Sequence, residues 1–142
     1  MKRVPTRPLR AAAAALGLSS SLACSDADCR NTILRDLPSP DGRRHAVVFT
    51  RDCGATTGFS TQVSILPGTR EPSGGGNVFT SDTDHDAAPA GAGGGPAVVV
   101  RWLDGRTVEI RYHPKARVFT RESRHDDTDI RYVPDSTLGS TT

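Results

Sequence analysis

The 142-residue chain is long enough for one domain and too short for two. Its formal charge of +2 misleads: Lys2, Arg3, Arg7 and Arg10 precede residue 24 and no acid does, so 14 of the 18 cations remain against 16 acids, a net −2, with Arg and Asp interspersed. A folded nucleic-acid binder needs a basic face, so that class is excluded and no nucleic-acid partner is expected.

The basic start is followed by Ala11 to Ala23, a run without a charge. A basic n-region, a short apolar stretch and small residues before a cleavage point describe a secretory signal, here residues 1–23. The run is too short for a transmembrane helix, which needs roughly 20 apolar residues. Cys24 stands directly after Leu22-Ala23. That arrangement resembles the lipobox of bacterial lipoproteins, although Ser21 occupies the place where Leu is usual. The expectation is a lipid on Cys24 that anchors the protein to a membrane on the periplasmic or outer side, with residues 24–28 as a tether. Without the lipid, the protein is periplasmic or secreted.

Ser39-Pro40-Asp41-Gly42 is a turn signal. With Asp41 at the centre of an antiparallel hairpin, Leu37 meets His45, Arg35 meets Val47, Ile33 meets Phe49 and Cys29 meets Cys53. Opposed β-carbons lie about 4.5–5.5 Å apart, close to the roughly 3.5–4.5 Å that a disulfide needs. Turn chemistry and cysteine spacing thus agree on a Cys29–Cys53 bond, which an exported compartment permits. A second turn, Gly54–Gly58, sets Cys53 opposite Phe59, Phe49 opposite Val63 and Val47 opposite Ile65. The odd positions Ile33, Leu37, Val47, Phe49, Phe59, Val63 and Ile65 then share one apolar face. Asp36, Thr50, Asp52, Ser60, Gln62 and Ser64 take the other, the alternation of a half-buried meander.

Asn77-Val-Phe-Thr80 is a short strand candidate. Ala97–Leu103 and Thr107–Tyr112 flank Asp104-Gly105, a two-residue hairpin signal that places Val99 against Ile110 and Ala97 against Tyr112. Arg117–Thr120 and Asp129–Val133 read as a last pair. Two low-complexity stretches, Glu71–Gly76 and Ala87–Pro96, offer no bulky side chains and read as mobile loops. The expected fold is all-β: an antiparallel meander of about seven strands curled into a small sandwich or open barrel. It forms one domain over residues 29–135, with 136–142 as a disordered tail.

The Ser39-Pro-Asp-Gly42 turn, the block Arg51-Asp-Cys-Gly-Ala-Thr-Thr-Gly-Phe-Ser-Thr-Gln-Val-Ser-Ile-Leu66, the later Gly76-Asn-Val-Phe79 and the Trp102 strand resemble a family of small exported bacterial proteins of unknown function. The resemblance spans roughly residues 29 to 133. It implies a location and a fold, and no activity.

Candidate chemistry is sparse. Asp82, Asp84 and Asp86 are spaced like the opening of a calcium loop. Ala87 stands where that loop needs glycine and Gly93 where it needs a bidentate Glu, so neither metal nor other cofactor is expected. Cys53 beside Gly54 has the look of a nucleophile with an oxyanion donor, but the disulfide consumes its thiol. His45, His85, His113 and His125 lack metalloenzyme spacing, and the glycines near 91–95 lack the Gly-Lys-Ser/Thr ending of a phosphate loop. One polar constellation stands out. Asn31, Arg51 and Thr61 fall in line across three strands beside Thr56 and Thr57 of the Gly54–Gly58 loop. They form either a structural cap or a contact for an anion or partner, since loops on rigid scaffolds often carry function. The sequence favours a non-catalytic binding or structural lipoprotein domain acting on an unknown envelope protein or ligand. An inhibitor or immunity-type protein directed at an envelope enzyme is the alternative, and a small hydrolase ranks last.

Overall fold

The computed structural model describes residues 29–54 and 57–140. The signal segment, Cys24 and the tether lie outside the described residues. Among those described, nine strands and no helix occur: β1 (Arg30–Pro38), β2 (Arg44–Asp52), β3 (Ser60–Pro67), β4 (Phe79–Asp82), β5 (Val98–Trp102), β6 (Thr107–Tyr112), β7 (Arg117–Arg121), β8 (Arg124–His125) and β9 (Thr128–Pro134). They form an open sandwich of two sheets, ordered β1-β2-β3-β4-β7 and β5-β6-β9-β8. The first is antiparallel throughout; in the second, β6 and β9 run parallel. Arg117–Arg121 and Thr128–Pro134 are therefore not partners: β7 closes the first sheet against β4, and β9 crosses to the second.

The core lies between the sheets. Ala46, Val48, Val63, Ile65, Val78 and Phe79 of one layer meet Val100, Val108, Ile110, Tyr112 and Ile130 of the other. Phe79, Tyr112 and Tyr132 cluster with ring centroids 5.5–6.4 Å apart. The Trp102 indole N–H donates to the Leu37 carbonyl at 2.8 Å, joining the edges of the two layers.

The first hairpin pairs Cys29 with Cys53, and the two are bonded with Cα atoms 4.1 Å apart. The route differs from simple symmetry about Asp41. Ser39 caps a four-residue loop, its N–H donating to the Arg44 carbonyl and its hydroxyl to Asp41. That loop sets Leu37 opposite Ala46 and Pro38 opposite His45, one place from the expected register. A bulge that skips Leu34 then restores it, with Ile33 opposite Phe49 and Asn31 opposite Arg51. The β2–β3 register is likewise one place from expectation: Phe49 faces Gln62 and Val47 faces Ser64. The inward face is consequently Leu37, Ala46, Val48, Val63 and Ile65, while Ile33, Val47 and Phe49 turn outward. In the second sheet Val98 faces Tyr112 and Val100 faces Ile110, again one place from expectation. There the Asp104 carboxylate accepts the Arg106 N–H at 2.7 Å, which draws Arg106 into a three-residue loop.

Val47 and Phe49 are nevertheless fully buried, because the glycine-rich segment before β4 covers the outer face. Gly76 N–H donates to the Gln62 side chain at 2.5 Å, and the Asn31 amide donates to the carbonyls of Pro72 and Gly74. The Asn77 amide pairs with both backbone groups of Ile65 as a neighbouring strand would. On the same face the His45 ring bridges the Asp36 carboxylate, 2.6 Å away, and the Arg70 carbonyl, 3.0 Å away. A Cβ at Gly76 would lie 2.5 Å from the Phe79 carbonyl oxygen. This stretch was expected to be a mobile loop; it is a packed strap whose missing side chains permit close approach. The Ala87–Pro96 stretch is packed too. Ala88 and Pro96 are buried, and Gly93 abuts Thr50 and Leu34. Of the 136–142 tail, residues 136–140 are described; they form turns, with Gly139 against Pro89.

Candidate functional site

The polar constellation resolves into two faces. Arg51 is buried on the outer face and donates to Asn31 at 2.8 Å, while Asn31 holds the strap. Arg51 stands opposite Ser60, and Thr61 opposite Thr50. Thr61 therefore points to the inner face, where its hydroxyl donates to the Pro96 carbonyl at 2.7 Å. The expected alignment of Asn31, Arg51 and Thr61 is corrected by that one-place register. Asn31 and Arg51 fasten a loop, and Thr61 fastens another on the opposite side. Thr56 lies outside the described residues. Thr57 folds back on the Gly54 carbonyl through its N–H and hydroxyl.

A different surface forms where the disulfide-held turn meets the ends of β4 and β7. Phe59 and Phe119 are 51% and 59% exposed there. Phe119 is the residue that the β4–β7 register skips, so the bulge releases its ring from the sheet. The Arg117 guanidinium sits 5.1 Å from the Phe119 centroid and binds both oxygens of Asp82, at 2.5 and 3.2 Å. Two depressions of about 390 and 420 Å³ share Asp82 and Arg117. One runs under Phe119 and Thr57, the other between Phe59, His85 and Gly94. Burial acts to raise the Asp82 carboxyl; hydrogen bonds from Arg117 and the Asp84 N–H outweigh it and hold the group below the usual carboxylate range. The same pairing pushes Arg117 upward.

Beside this pair the backbone is left-handed at three successive non-glycine residues, Asp84, His85 and Asp86, with φ of 49°, 57° and 68°. L-residues adopt that conformation at roughly 1–2 kcal/mol each. The Asp82 carboxylate accepts the Asp84 N–H, and the Ala88 N–H bonds the Thr83 carbonyl, closing the turn. His85 is thereby held in solvent. Of the three spaced aspartates, Asp82 is engaged by Arg117. Among the described residues no cluster of three or more His, Cys, Asp or Glu has metal-binding geometry.

Sequence reasoning overlooked Arg117 and Phe119 as surface residues and placed Phe59 in an apolar face. Phe119 shares its parity with Arg117 and Arg121, with Val118 and Thr120 between them, a pattern that could have marked an outward ring. The bulge that exposes it depends on pairing across 37 residues. Scanning protein-family models gave no match to this chain, and comparison with curated proteins and with solved structures gave none either. The molecule is an all-β, disulfide-bonded sandwich, and the bond suits an oxidising, extracytoplasmic setting.

Proposed function

We propose that this is a non-catalytic binding domain of the cell envelope, exported by residues 1–23, tethered through a lipid on Cys24, and docking a protein partner through the loop end around Phe59, Arg117 and Phe119. The observation that carries the reading is the pair of exposed phenylalanine rings bracketing the Arg117–Asp82 pair on a scaffold that the disulfide and the left-handed turn hold in place. Aromatic and Arg anchors dominate interface energies, and a pre-organised surface loses less entropy on binding. With Cys29 and Cys53 joined, Cys24 is the remaining cysteine, which agrees with the lipobox-like sequence before it.

The test is site-specific photocrosslinking in intact cells. A crosslinker at Phe119 should trap a discrete partner that one at Ser73, on the strap, does not. Phe59→Ala with Phe119→Ala should weaken that complex at least tenfold. Equal trapping at both positions would refute the docking surface. Cys24→Ala should release the protein from membranes and change its mass; unchanged fractionation would refute the anchor. The left-handed turn at residues 84–86, closed by the Ala88–Thr83 hydrogen bond with His85 and Asp86 in solvent, gives specific support to the inhibitor reading, since a hydrogen-bonded exposed turn suits insertion into an enzyme cleft. That reading requires the trapped partner to be an enzyme whose activity falls on binding.

A further inference from the structure

A third concavity, apart from the two at the aromatic loop end, opens between the two sheets beside the β1 edge. It encloses about 330 Å³, within the range of small-molecule sites. Val48 and Val98 form its apolar floor, with Leu34 at the rim. The opposite wall is the Gly91–Gly95 segment, where Gly93 presses on Thr50 and Leu34. The low-complexity sequence thus has a packing purpose: a Cβ at Gly91 or Gly95 would come within 3.0 or 2.5 Å of Ala97 or Thr61, and one at Gly93 would strike Thr50, so bare backbone lets the segment close tightly along the side of the cleft.

The turn register of the first hairpin decides what lines this space. The four-residue loop after Ser39 sets Arg35 opposite Val48, on the same inward side as Leu37 and Ala46, before the strand reaches the bulge at Leu34. An exposed guanidinium therefore borders an apolar cleft, and among the described residues it has no carboxylate partner. Apolar depth with one cation at the mouth is complementary to a carboxylate-bearing amphiphile. We propose that this cleft binds a small anionic amphiphile of the fatty-acid class, chain against Val48 and Val98, carboxylate on Arg35.

The competing account is protective. A bulge and an inward-turned charge on an edge strand also prevent edge-to-edge association. Calorimetric titration of the oxidised protein with hexanoate, octanoate and decanoate separates the two. Binding should tighten about three- to fourfold per methylene until the cleft is full, and octylammonium should not compete. Arg35→Gln should weaken octanoate about tenfold or more. Arg35→Glu should lose octanoate and gain octylammonium. Val98→Trp should fill the cleft and abolish uptake; where that variant fails to fold, the Arg35 charge swap at an exposed position still decides. Absence of chain-length dependence, or equal binding of octanoate and octylammonium, overturns the proposal. So does self-association of Arg35→Leu while the parent protein takes up no carboxylate, which assigns the bulge to edge protection.

Discussion

At the scale of single residues, the Cys29–Cys53 bond and the Asp82–Arg117 pair have separable consequences. The bond closes a loop with a sequence separation of 24. By the chain-entropy account that contributes about 3 kcal/mol, a large share of the roughly 5–15 kcal/mol that holds a domain of this kind together. Cys29→Ala with Cys53→Ala should lower stability by about that amount in urea titration. A loss below about 1 kcal/mol would mean that the packed strap and core suffice without the bond. The acid response follows from the carboxyls. Hydrogen bonds from Ser39, Arg117, Arg106, Arg101 and Thr137 hold Asp41, Asp82, Asp104, Glu109 and Asp135 below their ordinary values, for Asp82 against an opposing effect of burial. Groups depressed in the folded state bind protons more readily when unfolded. Their stabilisation is complete above the unfolded values of about 4 and disappears as pH falls through the lower folded ones. The melting temperature should therefore hold steady from neutrality to about pH 5 and fall below about pH 4. Asp82→Asn should melt lower at pH 7 and show a shallower acid decline; an unchanged slope would place the effect in the other four carboxyls.

At the scale of elements, the glycine-rich segments are structural parts and not spacers. Gly76 and Gly74 lie two residues apart in one strap, but a Cβ at Gly76 meets the Phe79 and Val63 carbonyl oxygens at 2.5 and 2.9 Å, whereas at Gly74 it meets nothing within 4 Å. Gly76→Ala should cost about 1–3 kcal/mol by displacing the strap from β3. Gly74→Ala should be neutral or stabilise by up to about 1 kcal/mol, through a less flexible unfolded chain. Equal effects in chemical denaturation would mean that the strap is loose in solution. β2 depends on this cover. Its run His45-Ala-Val-Val-Phe49 is buried on both faces, which alternation alone does not describe, because the second face is closed by a segment some 25 residues further on.

At the scale of the whole molecule, the two sheets share one core and are joined at their edges by the Trp102–Leu37 hydrogen bond and by the Tyr132 hydroxyl, which lies 2.9 Å from the Val78 carbonyl oxygen and 2.7 Å from that of Glu122. Burial pushes the Tyr132 phenol up, so it keeps its proton throughout ordinary pH. Neither layer has another apolar surface to cover its inner face. Unfolding should be a single transition, with Trp102 fluorescence and far-ultraviolet dichroism coinciding in urea. Separate midpoints would show that one sheet persists without the other.

Local chemistry alone determined most of the strands and the Ser39–Gly42 turn, because turn residues and β-branched runs act over a few positions; it also paired Cys29 with Cys53, although the bond is reached through a turn register and a bulge that offset one another. It also supplied the charge balance and the export-like start. Register was beyond its reach. The Leu34 bulge and the one-place shift between β2 and β3 belong to the folded sheet, the three-residue loop turns on a single side-chain bond at Asp104, and each moves side chains from one face to the other. That is why Arg51 and Thr61, aligned in the sequence reading, lie on opposite faces. The parallel crossing of β9 and the closing of both glycine-rich segments over the sheets depend on contacts between residues distant in the chain. Only the tertiary structure fixes these, and with them the exposed rings of Phe59 and Phe119 and the cleft at Arg35.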